Sequence, residues 1–134
     1  MPESALAKKL QIRPHQKLLV LDAPAGYINE LGALPEGVKL AHRATGAFDV
    51  VHLFVHNGGE LAKRAEVATK ATKPGGTLWV SWPKQSAHME TDLNRDSLAA
   101  AMEAHGVRPV ASVSINETWS ALRFKPHAEV KTRR

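Results

Sequence analysis

The segment Ala71-Thr72-Lys73-Pro74-Gly75-Gly76-Thr77-Leu78-Trp79-Val80-Ser81-Trp82-Pro83 constrains the fold more than any other part of the chain. It reads as the end of a helix, a Pro-Gly-Gly turn and then a strand. Lys73 suits the last carbonyls of a helix, Pro74 cannot continue one, and a glycine takes the left-handed conformation that follows. Leu78, Trp79 and Val80 form an uninterrupted apolar run, as expected of a sheet covered on both faces.

A chain of 134 residues fits one ordinary domain. Its hydrophobic fraction of 43% and charged fraction of 23% are those of a globular protein rather than a disordered one. The absence of cysteine excludes disulfides, zinc–thiolate sites and cysteine nucleophiles together. No apolar run approaches the ~20 residues of a membrane-spanning helix. Met1 to Lys9 lacks the apolar core of a secretory signal, so the expected location is cytoplasmic.

The net charge of +5 raises the question of nucleic acid. Residues 127–134 hold Lys131, Arg133 and Arg134 and read as a basic, disordered tail behind a single domain over residues 1–126. Elsewhere basic residues are scattered among acids, and one tyrosine with three phenylalanines makes a poor stacking platform. Composition therefore argues against nucleic-acid binding, with association through the tail as the remaining route.

Along the chain, residues 3–12 predict a short helix and 17–21 a central strand. Residues 22–26 form a loop, 27–31 a helical turn and 38–41 a weak strand. Residues 48–55 alternate two apolar faces, Val50, His52 and Phe54 opposite Val51, Leu53 and Val55. Asn57 caps the next helix, with Glu60 placed as in a capping box. Asn94 caps another, with Leu93 and Leu98 as a hydrophobic staple around it. Strands over 107–115 and 119–124 are joined closely enough only for a hairpin.

Strands alternating with helices and closing in a hairpin predict a three-layer, Rossmann-like α/β domain with about six strands, mostly parallel. The link over residues 43–47 is the difficulty, because a parallel crossover takes about a dozen residues or more. Loop length favours an antiparallel hairpin between the second and third strands. A short stub joined by an extended segment is the alternative.

Taken together, QKLLVLDAPAGY, FDVVHLFV, KPGGTLWVSWPK, TDLNRDSL and ETWSALRF resemble a family of small bacterial domains of unknown function. These look like trimmed Rossmann-like methyltransferase domains of the class I type, and the Lys-Pro-Gly-Gly turn resembles the one in their C-terminal half. The resemblance implies the fold and carries no established activity. It also implies where S-adenosylmethionine would bind, and two features argue against that. The first loop, Asp22-Ala23-Pro24-Ala25-Gly26, offers one glycine where close backbone approach to a cofactor needs several. The end of the second strand, Leu40-Ala41-His42-Arg43, lacks the acid that would hold ribose hydroxyls. No cofactor is therefore expected, and Ala23, Pro24 and Ala25 are expected to occupy part of its place.

Ligands of open α/β sheets sit outside the carboxyl ends of the strands. That rim holds Asp22 and Gly26 as the residues nearest a cofactor. Trp82, Lys84, Ser86, Asp92 and Arg95 are the candidates for a ligand, with Lys84 and Arg95 suited to an anion. The competing account has Asp92 and Asp96 complementing a helix dipole while Arg95 pairs locally. The connection over residues 83–93 exceeds the ~2–6 residues such a unit needs, which marks a binding loop as readily as a mobile spacer. His52 and His56 lie ~13 Å apart along a strand and cannot share an ion. Neither shows an obvious carboxylate partner, so no metal is expected. No serine lies in a Gly-x-Ser-x-Gly elbow.

These residues point to a methyltransferase-like domain with a degraded cofactor loop, acting as a small-ligand or protein-interaction module. The alternative is an enzyme for a small anionic substrate, a divergent S-adenosylmethionine-dependent methyltransferase included. The sequence leaves open whether the protein is an enzyme.

Overall fold

Alternating apolar strands and capped helices assemble into six strands, with helices packed against both faces of the sheet. The computed structural model describes residues 4–126, so the basic tail over 127–134 lies outside the described residues. The order along the chain is α1 (Ala5–Lys9), β1 (Lys17–Leu21), α2 (Tyr27–Leu31), β2 (Lys39–Ala41), β3 (Phe48–Phe54), α3 (Gly58–Ala71), β4 (Thr72–Pro83), α4 (Arg95–Glu103), β5 (Val107–Ser114) and β6 (Trp119–Pro126). The strands lie side by side as β2-β1-β3-β4-β6-β5. β1, β2, β3 and β4 pair in parallel, and β6 runs antiparallel to both β4 and β5.

The two faces of β3 decide the layers. Val51, Leu53 and Val55 join Leu61, Ala65 and Ala68 of α3 and Leu98 and Met102 of α4 in one apolar cluster. Val50 and Phe54 join Ala7 and Leu10 from α1 and its end, Tyr27 and Leu31 of α2, and Trp79 and Trp119 in the other. Asn57 Oδ1 accepts from the Glu60 N–H at 2.9 Å, but the expected box does not close because the Glu60 carboxylate takes the His56 N–H; Asn94 with Ser97 does make a reciprocal capping box. Leu93 and Leu98 are buried in the same cluster. Asn116 Oδ1 accepts from the backbone N–H groups of Thr118 and Trp119, which fixes the β5–β6 turn.

The second strand corrects the favoured hairpin. β2 and β3 are not neighbours; β1 lies between them and pairs in parallel with each. The rule for long crossovers fails because β2 is only three residues long. Ala41 is level with Leu19, itself level with Val51, so the return to the start of β3 is short. Residues 42–47 cover it without a helix.

The Pro-Gly-Gly segment is also not a turn between helix and strand. α3 ends at Ala71 and β4 begins at Thr72. Phe48 pairs with Thr72 and Val50 with Thr77, so residues 73–76 bulge out within the strand itself. Gly75 takes the left-handed conformation, with φ +80°. Lys73, expected at the helix carbonyls, instead places its Nζ 2.9 Å from Asp49 Oδ1. The other Asp49 oxygen accepts from the Lys17 backbone N–H at 2.8 Å, and that bond leads in holding the carboxyl below its usual range.

A Cβ on Gly76 would sit 2.9 Å from the Asp49 carbonyl oxygen and 3.0 Å from that of Lys73. Both are backbone atoms and cannot swing away. Gly76→Ala should therefore lower stability by about 1–3 kcal/mol, read as an earlier urea midpoint at unchanged slope. An unchanged midpoint would show that the bulge relaxes freely.

Candidate functional site

β1 sends the chain outward to β2 on one side, and β3 lies on the other, so strand order reverses at β1. In open α/β sheets the ligand crevice lies at that reversal, beyond the carboxyl ends of the strands. Asp22 stands there directly after β1, in the left-handed region at φ +60°. Its Oδ2 accepts from Arg64 Nε of α3 at 2.8 Å. This bridge joins the end of the first strand to the helix that follows the third.

Clefts lie on both sides of Asp22. One, of about 430 Å³, is walled by Val20, Ala23, Pro24 and Ile28 and edged by Asn29 and His42. The other, of about 490 Å³, is lined by Asp22, His56, Glu60, Lys63 and Arg64. Ala23, Pro24 and Ala25 form a wall of the first cleft rather than closing it. Gly26, at φ +86°, precedes α2, and nothing lies within 4 Å of where its Cβ would stand.

Beneath the crevice lies a buried polar chain. Tyr27 Oη is 3.1 Å from His52 Nδ1, and His52 Nε2 is 2.6 Å from Ser81 Oγ. A neutral imidazole carries one N–H and one lone pair, so the two hydroxyls take opposite roles across the ring. Desolvation pushes His52 down to about 3, and burial, with Glu30 nearby, raises Tyr27. The ring stacks on Phe54 with centroids 4.3 Å apart.

The remaining candidates are dispersed. Trp82 is 8% exposed and sits in the cluster under α3 and α4. Lys84 donates through Nζ to Ser114 Oγ at 2.6 Å, and Arg95 stands exposed at the first position of α4. Ser86 is exposed in a short 3-10 turn over Gln85–Ala87. Asp92 accepts from the Gly58 N–H at 2.7 Å and so caps α3, not the helix that follows it. One expectation is overturned here. His56 does have a carboxylate partner, Glu60 Oε1, 3.0 Å from its Nδ1. The i, i+4 spacing is the signal for this pair, and the cap that Glu60 also suits is made by Asn57 instead. Among the described residues no three His, Cys, Asp or Glu side chains gather to hold a metal. No helix there is long and apolar enough to cross a membrane.

Strand order and layers define a Rossmann-like fold of the kind seen in class I methyltransferases. A SAM-dependent methyltransferase from Aquifex aeolicus superposes with a TM-score of 0.59 at 14% identity, over 87% of this chain and 85% of its own. The CcbJ methyltransferase from Streptomyces caelestis superposes at 0.58 and 10% identity, over 91% and 88%. A putative methyltransferase from Thermoplasma acidophilum gives 0.57 and 11%, over 86% and 70%. At such identities the likeness establishes the fold alone. No family model matches the chain, and no curated protein matches it in sequence.

Proposed function

We propose that this protein is a small-ligand-binding domain of methyltransferase fold, with its ligand in the switch-point crevice beside Asp22. The observation that carries the reading is the open cleft of about 430 Å³ behind residues 22–26. Its walls are apolar, and Asp22, Asn29 and His42 supply hydrogen-bonding edges. This lining suits a flat heterocycle with polar edges. The loop itself departs from the cofactor pattern, because Pro24 lacks an N–H and His42 stands where a ribose-binding acid would be.

A second reading, a divergent S-adenosylmethionine-dependent methyltransferase, is supported by the dependence named for the Aquifex aeolicus structure. Titration calorimetry separates the two. The first expects no saturable micromolar binding of S-adenosylmethionine or S-adenosylhomocysteine; such binding would establish the second in its place.

Ala25 is exposed on the cleft wall, so Ala25→Trp should fill the space while leaving the core intact. Thermal shifts given by a panel of nucleosides and heterocycles should disappear in this variant. Shifts of equal size in the variant, or none in the native protein, would remove this crevice as the binding site.

A further inference from the structure

The second cleft contains an oriented histidine. Glu60 Oε1 accepts from the His56 backbone N–H at 2.7 Å and from its Nδ1 at 3.0 Å. The backbone bond, foremost, holds the Glu60 carboxyl below its usual range, so it stays ionised near neutrality and can only accept. Nδ1 of neutral His56 must then carry the proton, and Nε2 is left with the lone pair. Trp119 stands edge-on to the ring, with centroids 5.2 Å apart, which restrains its rotation. The side chain remains 42% exposed and lines the cleft. Of the two cations in the same wall, Arg64 is neutralised by Asp22, whereas exposed Lys63 makes no ion pair among the described residues.

We propose that His56 is the proton acceptor of this cleft, positioned by Glu60, and that the cleft takes a small ligand bearing an acidic O–H or N–H beside an anionic group. Lys63 faces the anionic group. In the step, the ligand's O–H or N–H bond breaks and its electron pair stays on the ligand atom. The proton moves to Nε2, giving an imidazolium whose Nδ1–H remains on the Glu60 carboxylate. That carboxylate holds the ring in place, as an orienting acid does for a histidine base. The inference rests on the reading that the crevice takes a small ligand.

The test uses 4-hydroxy-3-nitrobenzoate, which carries a carboxylate and a phenol that colours on ionisation, buffered below the phenol's own pKa. Saturable binding to the native protein should generate phenolate absorbance. His56→Gln and His56→Asn, with melting curves confirming that they fold, should bind the probe and lose that absorbance. Lys63→Ala should weaken binding. Long-range proton–nitrogen NMR should show His56 as the Nδ1–H tautomer, and Glu60→Gln should turn it into a mixture with a lower phenolate yield. Probe bound without ionisation, equal ionisation by His56→Gln, or a native Nε2–H tautomer would overturn the proton-acceptor role and leave the crevice reading standing. Failure of the probe to bind would overturn this inference, and the nucleoside panel decides separately on the crevice.

Discussion

Trp79→Ala should remove about 3–5 kcal/mol of folding stability, a large share of the roughly 5–15 kcal/mol a domain typically has. Trp79 is 1% exposed, in the cluster between the sheet, α1 and α2. Its Nε1 donates to the Leu10 carbonyl at 3.0 Å, tying the end of α1 to β4. The substitution therefore opens a large cavity and leaves a buried carbonyl without its donor, and both count toward that loss. Trp79→Phe keeps most of the volume and should lose about 1–3 kcal/mol through the unpaired carbonyl. Urea unfolding followed by circular dichroism measures both. Amide exchange should also quicken at residues 10–12 in each variant, because their tether to β4 is gone. A Trp79→Ala loss under 1 kcal/mol would mean that the space collapses or fills with water.

Stability should also fall as pH is lowered from about 6.5, through a window set by His52. Desolvation takes this ring from 6.5 down to about 3 in the folded protein. Between those values the unfolded chain binds a proton that the folded chain does not. The contribution of His52 is thus complete above 6.5 and lost as pH falls, with a slope of up to about 1.4 kcal/mol per pH unit. Asp49 and Glu60, whose carboxyls are held low, add to the loss only as pH falls through the carboxylate range. The interval above about 5.5, where carboxylates of the unfolded chain are still almost fully ionised, therefore isolates the histidine. His52→Gln keeps polar atoms for Tyr27 and Ser81, and should flatten that interval while lowering stability at neutral pH. Equal slopes in the native protein and the variant would assign the acid sensitivity elsewhere.

The sequence by itself determined what depends on near neighbours. The alternation along residues 50–55 assigns Val50 and Phe54 to one cluster and Val51, Leu53 and Val55 to the other, because successive residues point to opposite faces. Asn57 and Asn94 begin their helices with local hydrogen bonds, and the short link after β5 allows only a hairpin. The class I methyltransferase-like fold follows from those local rules and from the resemblance. Only the tertiary structure decided which distant groups meet. The place of β2 depends on register with β1, Lys73 turns to Asp49 because residues 73–76 bulge toward it, and Asp22 finds Arg64 across the crevice. The same holds for Tyr27, His52 and Ser81, which come from three elements and carry no shared pattern in the chain. His56 and Glu60 fall between the two cases: their spacing was legible, but one carboxylate could serve the helix cap or the ring. The backbone geometry at the end of β3 lets Glu60 Oε1 reach both the His56 backbone N–H and its ring, while Asn57 takes the cap.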